Sequence, residues 1–142
     1  SINEFSNSDE SFEKSLVFSP NNVQVLNNYS YFLALREENL DKALGMSKKT
    51  IDLYPGTGAY CDTYGWILYK MGRYLESKKW ITLAIEKTKN QSVVMMEHMG
   101  DVCYKLEDFD EALLYWGKAL QLGGNSKLLQ EKMDLCKIKS NE

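Results

Sequence analysis

The sequence predicts an all-α fold built as an array of helix pairs, and three observations carry that reading. Residues echo at a fixed interval: Ser30, Gly65 and Gly100 stand 35 positions apart. Their neighbours echo with them, Leu26-Asn27-Asn28-Tyr29-Ser30-Tyr31 aligning with Cys61-Asp62-Thr63-Tyr64-Gly65-Trp66 and with Met96-Glu97-His98-Met99-Gly100-Asp101. Apolar residues between these points recur every three to four positions, the period of a helix and not of a strand. The two prolines, Pro20 and Pro55, are also 35 apart, and each follows an amphipathic helical pattern. A period near ~34 residues marks a repeat array, which generally offers a binding surface rather than a catalytic pocket.

Along the chain, Phe5, Ser8, Phe12, Ser15 and Pro20 fit a helix over 5–20, read as the second helix of a truncated repeat. The first full repeat covers 23–57. Leu26, Tyr29 and Leu33 form the stripe of its first helix; Leu40, Ala43, Leu44 and Ile51 form that of its second. Glu37-Glu38-Asn39 separates the two, with Asn39 placed to cap the second helix through its side chain. Pro55 stops that helix because proline lacks the N–H and crowds the preceding turn.

The second repeat covers 58–92, with Tyr64, Ile67, Leu68 and Met71, a break at Gly72-Arg73, then Tyr74, Trp80, Ile81, Ala84 and Ile85. The third covers 93–125, with Met95, Met99, Val102 and Leu106, a break at Glu107-Asp108, then Phe109, Ala112, Leu113, Trp116, Ala119 and Leu120. Asp108 followed by Glu111 has the form of a capping box. Gly123-Gly124 can end the last repeat in left-handed geometry. The first inter-helix turn carries one extra residue, so Ala43 and Ser77 are 34 apart. Ser126, Leu128, Leu129, Met133, Leu135 and Ile138 predict a final helix over 126–139 that covers the last apolar face.

These recurrences resemble the tetratricopeptide repeat (TPR) family. Its small first-helix residue matches Ser30, Gly65 and Gly100. Its small second-helix residues match Ala43, Ser77 and Ala112, then Thr50, Ala84 and Ala119. Its aromatic near the second-helix start matches Tyr74 and Phe109, with Leu40 a departure, and its terminal proline matches Pro55. The resemblance covers residues 23–124 as three complete repeats. It implies a right-handed superhelix (α-solenoid) of antiparallel helix pairs, in which small residues let two helices cross closely. Asn28-Tyr29-Ser30-Tyr31, Asp62-Thr63-Tyr64-Gly65-Trp66 and Glu97-His98-Met99-Gly100-Asp101 are similar to bacterial members. The partial first repeat implies the C-terminal part of a longer array.

Composition narrows the function. The 142 residues fit one domain, and a net charge of -3 argues against a nucleic-acid binder, which carries a basic stripe. No run approaches ~18 apolar residues, so no transmembrane helix is expected. Cys61, Cys103 and Cys136 form no CxxC pair; an odd count favours buried thiols and leans towards the cytoplasm. Exported members of the family pull the other way, so a periplasmic site follows if an upstream signal has been removed.

No catalytic, metal or cofactor site is expected. His98 is the sole histidine, with Asp101 a helical neighbour and Asp62 within reach from the adjacent repeat. One histidine beside carboxylates is not a catalytic constellation, and it reads as a surface or packing residue. Gly56-Thr57-Gly58 lacks the lysine and preceding strand of a phosphate loop. Glu107, Asp108, Asp110 and Glu111 lack the EF-hand pattern, and acids at a helix start are explained by its dipole.

The resemblance places a partner-binding groove along the first helices. It maps to Gln24, Asn27, Tyr31, Ala34 and Leu35, then Ala59, Asp62, Trp66, Tyr69 and Lys70, then Val94, Glu97, Asp101, Tyr104 and Lys105. Family members that clamp acidic chaperone tails use basic residues and asparagines here. This chain holds Asn27 and Glu97 at lysine positions, Tyr31 and Trp66 at asparagine positions, and Asp101 at a further basic one. Those acids would repel a carboxylate, which predicts against chaperone-tail binding. The groove is expected to be acidic and aromatic, suited to a peptide whose Lys or Arg stacks on Trp66 or Tyr69 and pairs with Asp62, Glu97 or Asp101. The alternative for Trp66 and Tyr69 is packing between helices. The alternative functions are a self-associating structural segment, or an accessory domain of a larger enzyme or regulator.

Overall fold

Pro20 and Pro55 each lie two residues beyond the end of a helix, as their missing N–H requires. The computed structural model describes residues 2–142, with side chains from Asn7 onward; Phe5, placed in the first stripe, has its side chain outside the described residues. Eight helices are formed among these residues: α1 (Ile2–Phe18), α2 (Val23–Arg36), α3 (Leu40–Leu53), α4 (Gly58–Lys70), α5 (Tyr74–Lys87), α6 (Val93–Lys105), α7 (Phe109–Gln121) and α8 (Ser126–Ser140). The result is an all-α repeat superhelix. α2 packs most extensively on α3, α4 on α5 and α6 on α7, while α1 covers α2 and α8 covers α7. α2, α4 and α6 also touch in series, which puts the first helices of successive pairs side by side on one face.

Small residues sit where these helices cross. Ser30, Ala43, Thr50, Ser77, Ala84, Ala112 and Ala119 are all fully buried. A Cβ on Gly65 would lie 2.7 Å from Ile81 Cγ1, and one on Gly100 would lie 2.3 Å from the Trp116 ring. Real Cβ atoms do not approach so closely, so glycine is what lets α4 meet α5 and α6 meet α7 at this distance. Ser77 uses the close approach: its hydroxyl donates to the Gly65 carbonyl at 2.6 Å.

The inter-helix turns share one device. Glu37 (φ 54), Gly72 (φ 80) and Glu107 (φ 61) stand 35 apart, and all three are left-handed. In each turn the next amide donates five residues back: Glu38 to Leu33, Arg73 to Leu68, Asp108 to Cys103. This satisfies carbonyls that the helix end leaves open. The extra residue of the first turn falls after that position, and Asn39 absorbs it by turning left-handed itself (φ 46).

That geometry corrects two expected caps. Asn39 and Asp108 occupy the N-cap positions of α3 and α7, but neither side chain makes a capping bond. Asp108 and Glu111 face Lys78 instead, at 3.6 and 2.8 Å. Side-chain caps are made by Asn22, Ser92 and Asn125, at three of the four helices that follow longer connections; Thr57, before α4, makes none.

A candidate partner-binding groove

The face formed by α2, α4 and α6 carries the predicted groove residues in register, because the repeat length holds each set at the same helical phase. The structure divides them into two kinds. Tyr31, Tyr69, Lys70, Glu97, Asp101 and Tyr104 are partly exposed and Lys105 is exposed, whereas Asp62 and Trp66 are buried at 7% exposure. Ala34, expected at the groove, is fully buried in the core between α2, α3 and α4.

Asp62 is engaged from within. Its two carboxylate oxygens lie 3.0 and 3.1 Å from His98 Nδ1, which joins α4 to α6 across the repeat boundary. The His98 ring stacks on Trp66 at 3.9 Å between centroids, and Tyr69 stacks on the same indole at 4.6 Å. Lys70 Nζ stands 5.1 Å from the centre of one Trp66 ring and 3.4 Å from Glu37 Oε1. Trp66 therefore works as a packing residue, enclosed by aromatic and cationic neighbours, rather than as an open platform. Helical spacing put Asp101 next to His98, but its bonds run elsewhere. Asp101 Oδ1 accepts from Trp116 Nε1 at 3.1 Å and from Lys132 Nζ at 2.8 Å, which ties α6 to α7 and α8.

Two buried polar atoms of this set have no hydrogen-bond partner among the described residues, Asn27 Oδ1 and Trp66 Nε1. Carboxylates act on two tyrosines of this face. Burial pushes the Tyr31 phenol above its ordinary value, and the Asp62 and Glu97 carboxylates add to the shift. Burial, followed by the charge of Asp101, pushes the Tyr69 phenol up to about 12. Both tyrosines stay neutral at physiological pH and offer hydroxyl donors beside negative charge.

Towards α8 the face sinks into a hollow of about 220 Å³. It is lined by aromatic Tyr69, Tyr104 and Trp116, aliphatic Leu135, and charged Asp101, Lys105 and Lys132. Sequence reasoning found four of these seven through the repeat register. It missed Trp116, which belongs to a second helix, and Lys132 and Leu135, which lie in α8 outside the repeat. The available signal was size: Trp116 is the bulky residue set against Gly100, whose Cβ it would otherwise meet.

The thiols offer no nucleophile at neutral pH. Cys61, Cys103 and Cys136 are unpaired and buried, and burial pushes all three thiols up, Cys103 to about 12. Among the described residues no group of three or more His, Cys, Asp or Glu side chains is placed to hold a metal ion. No helix among them is long and apolar enough to cross a membrane.

No protein-family model matches the chain. Type IV pilus assembly protein PilF of Pseudomonas aeruginosa is 30% identical over 134 residues, which covers 92% of this chain and 52% of PilF. TPR repeat-containing protein MJ1428 of Methanocaldococcus jannaschii is 31% identical over 101 residues, covering 71% of this chain and 17% of that protein. The chain thus spans about half the length of PilF and a smaller part of the archaeal protein. The crystal structure of YrrB, described as a TPR protein with an unusual peptide-binding site, matches with a TM-score of 0.73 over 88% of this chain and 63% of that one. At 21% identity this likeness speaks to the fold. The echo of Ser30, Gly65 and Gly100, the helix pairs that it specifies and these likenesses agree, and the chain belongs to the tetratricopeptide repeat family.

Proposed function

We propose that the chain is a protein-interaction scaffold, without catalysis of its own, whose concave face holds an extended peptide carrying a basic side chain. The observation that carries this reading is the pairing of a half-buried aromatic with negative charge, Tyr31 beside Asp62 and Glu97. Such surfaces bind through large, stiff rings with little loss of entropy. A Lys or Arg would meet Glu97 and the face of Tyr31, since Asp62 already serves His98. The likeness to a pilus assembly protein supports a role in bringing other proteins together. The same acids, standing where a chaperone-tail clamp needs bases, disfavour a ligand that presents only carboxylates.

The test is a display library of random peptides selected on the full chain. Enrichment of Lys- or Arg-containing peptides, lost with Tyr31→Ala and Glu97→Lys while the circular dichroism melt is unchanged, supports the reading. Enrichment of acidic peptides, or equal recovery on the variant, refutes it.

A second reading has its own observation. Phe32 and Leu35 are about half exposed and, with Ser8 and Arg36, line a hollow of about 460 Å³ between α1 and α2. An apolar face of this kind favours self-association. Light scattering that finds a monomer across the working concentration range rejects it.

A further inference from the structure

The hollow at the α8 end differs in charge from the rest of the groove, and this difference specifies a ligand pattern. Its lining is mostly ring and aliphatic surface from Tyr69, Tyr104, Trp116 and Leu135. Asp101 offsets only part of the positive charge there: one of its oxygens accepts from both Trp116 and Lys132, while its charge still reaches Tyr69. Lys105 is exposed and forms no ion pair among the described residues. Two ammonium groups therefore face one carboxylate, while Glu97, nearer the start of α6, adds its negative charge to that of Asp62 at Tyr31. Along α6 the groove is acidic near the start of the helix, at Glu97, and, around an apolar hollow, net positive near its end.

Resting on the groove reading above, we infer that this hollow anchors an apolar side chain of the partner peptide that is followed directly by an acidic residue. The spacing to the basic residue follows from helix geometry. Glu97 and Lys105 are eight residues apart on α6, about 12 Å at 1.5 Å per residue. An extended peptide covers that distance in three to four residues at roughly 3.3 Å each. The recognised pattern is thus a basic residue, two spacers, an apolar anchor and an acid, read in either chain direction. Complementary charge at both ends fixes register, and the anchor supplies desolvated area.

The probes are capped synthetic peptides Lys-Ser-Ser-Leu-Glu and its reverse, against Glu-Ser-Ser-Leu-Lys, in which the leucine adjoins the wrong charge. Binding to the full chain is followed by NMR, reading the Trp116 indole N–H and the backbone amides of Tyr31 and Glu97. The expected result is that one of the first pair moves the Trp116 signal and binds about tenfold more tightly than the swapped peptide. Lys105→Glu, an exposed change that leaves the fold intact, should abolish that preference. Equal affinities with shifts at Tyr31 and Glu97 overturn the anchored pattern and leave the groove reading standing. No shift at any of these groups with any peptide overturns both.

Discussion

His98 Nδ1 lies 3.0 Å from Asp62 Oδ1, and both side chains are at least nine-tenths buried. This bond spans two repeats, so it sets the spacing of α4 and α6 and thereby the shape of the groove between them. Truncating one partner leaves the other buried without its hydrogen bond. His98→Phe keeps a ring against Trp66 but strands the carboxylate, and is expected to destabilise by about 3 kcal/mol. Adding Asp62→Leu should restore most of that loss, since an apolar pair needs no partner. Urea melts of the two single variants and the double variant check this. Additive losses would show that the pair is not coupled.

Gly100 is a tighter constraint than Gly65 or Ser30. The methyl of Gly100→Ala would fall 2.3 Å from the Trp116 ring, whose Nε1 is held by Asp101, so the ring has little freedom to retreat. A loss of about 1–3 kcal/mol is expected from overpacking. Ser30→Ala should be nearly silent, because its hydroxyl only bonds back to Asn27 in the same helix. Thermal melts of the two variants should therefore separate by several degrees. Nearly equal melting temperatures would mean that the α6–α7 crossing yields more easily than this geometry requires.

Glu107 holds a left-handed conformation (φ 61) at the position where the second repeat uses Gly72. A residue with a Cβ is strained there by about 1 kcal/mol, which glycine avoids. Glu107→Gly is expected to stabilise the chain by up to that amount, reduced by the greater freedom of glycine when unfolded. A raised denaturant midpoint at unchanged slope is the signature. A lowered midpoint would assign the Glu107 side chain an interaction that its exposed position does not suggest.

The sequence made the helix pairs legible because small residues and turns recur at one period, and a period survives even where individual residues vary. The turn at 37–39 shows the same thing at finer grain: its extra residue was visible as a shift of Ala43 against Ser77, and Asn39 takes it up. What the period could not reveal was which groove residues are spent on packing. Asp62 and Trp66 share phase with Tyr31, Glu97 and Asp101, yet His98, unique to the third repeat, buries both. Nor could it reveal the floor of the hollow. Trp116 and Lys132 reach the groove from elements that a first-helix register leaves out.

Glu13 gives α1 a pH-dependent tether. Its carboxylate accepts from Lys42 Nζ and, at 2.9 Å, from the Tyr29 hydroxyl, which joins α1 to α3 and α2. The Lys42 bond, then the Tyr29 bond, holds the Glu13 carboxyl below its ordinary value, against the opposing effect of burial. A carboxyl lowered on folding contributes stability above its unfolded value, near 4.5. That contribution is lost as the pH falls through the folded value, when the proton breaks the pairing. Lys42 is raised by the same bond, so the opposite limb begins only above its ordinary ammonium range. Melting temperatures of the parent chain and Glu13→Gln should therefore differ by a constant amount from about pH 5 to pH 9 and converge in acid. Half-exposed partners make the gap small and sensitive to salt. A gap that persists at pH 2 would show that the Glu13 side chain holds α1 by packing and not by charge.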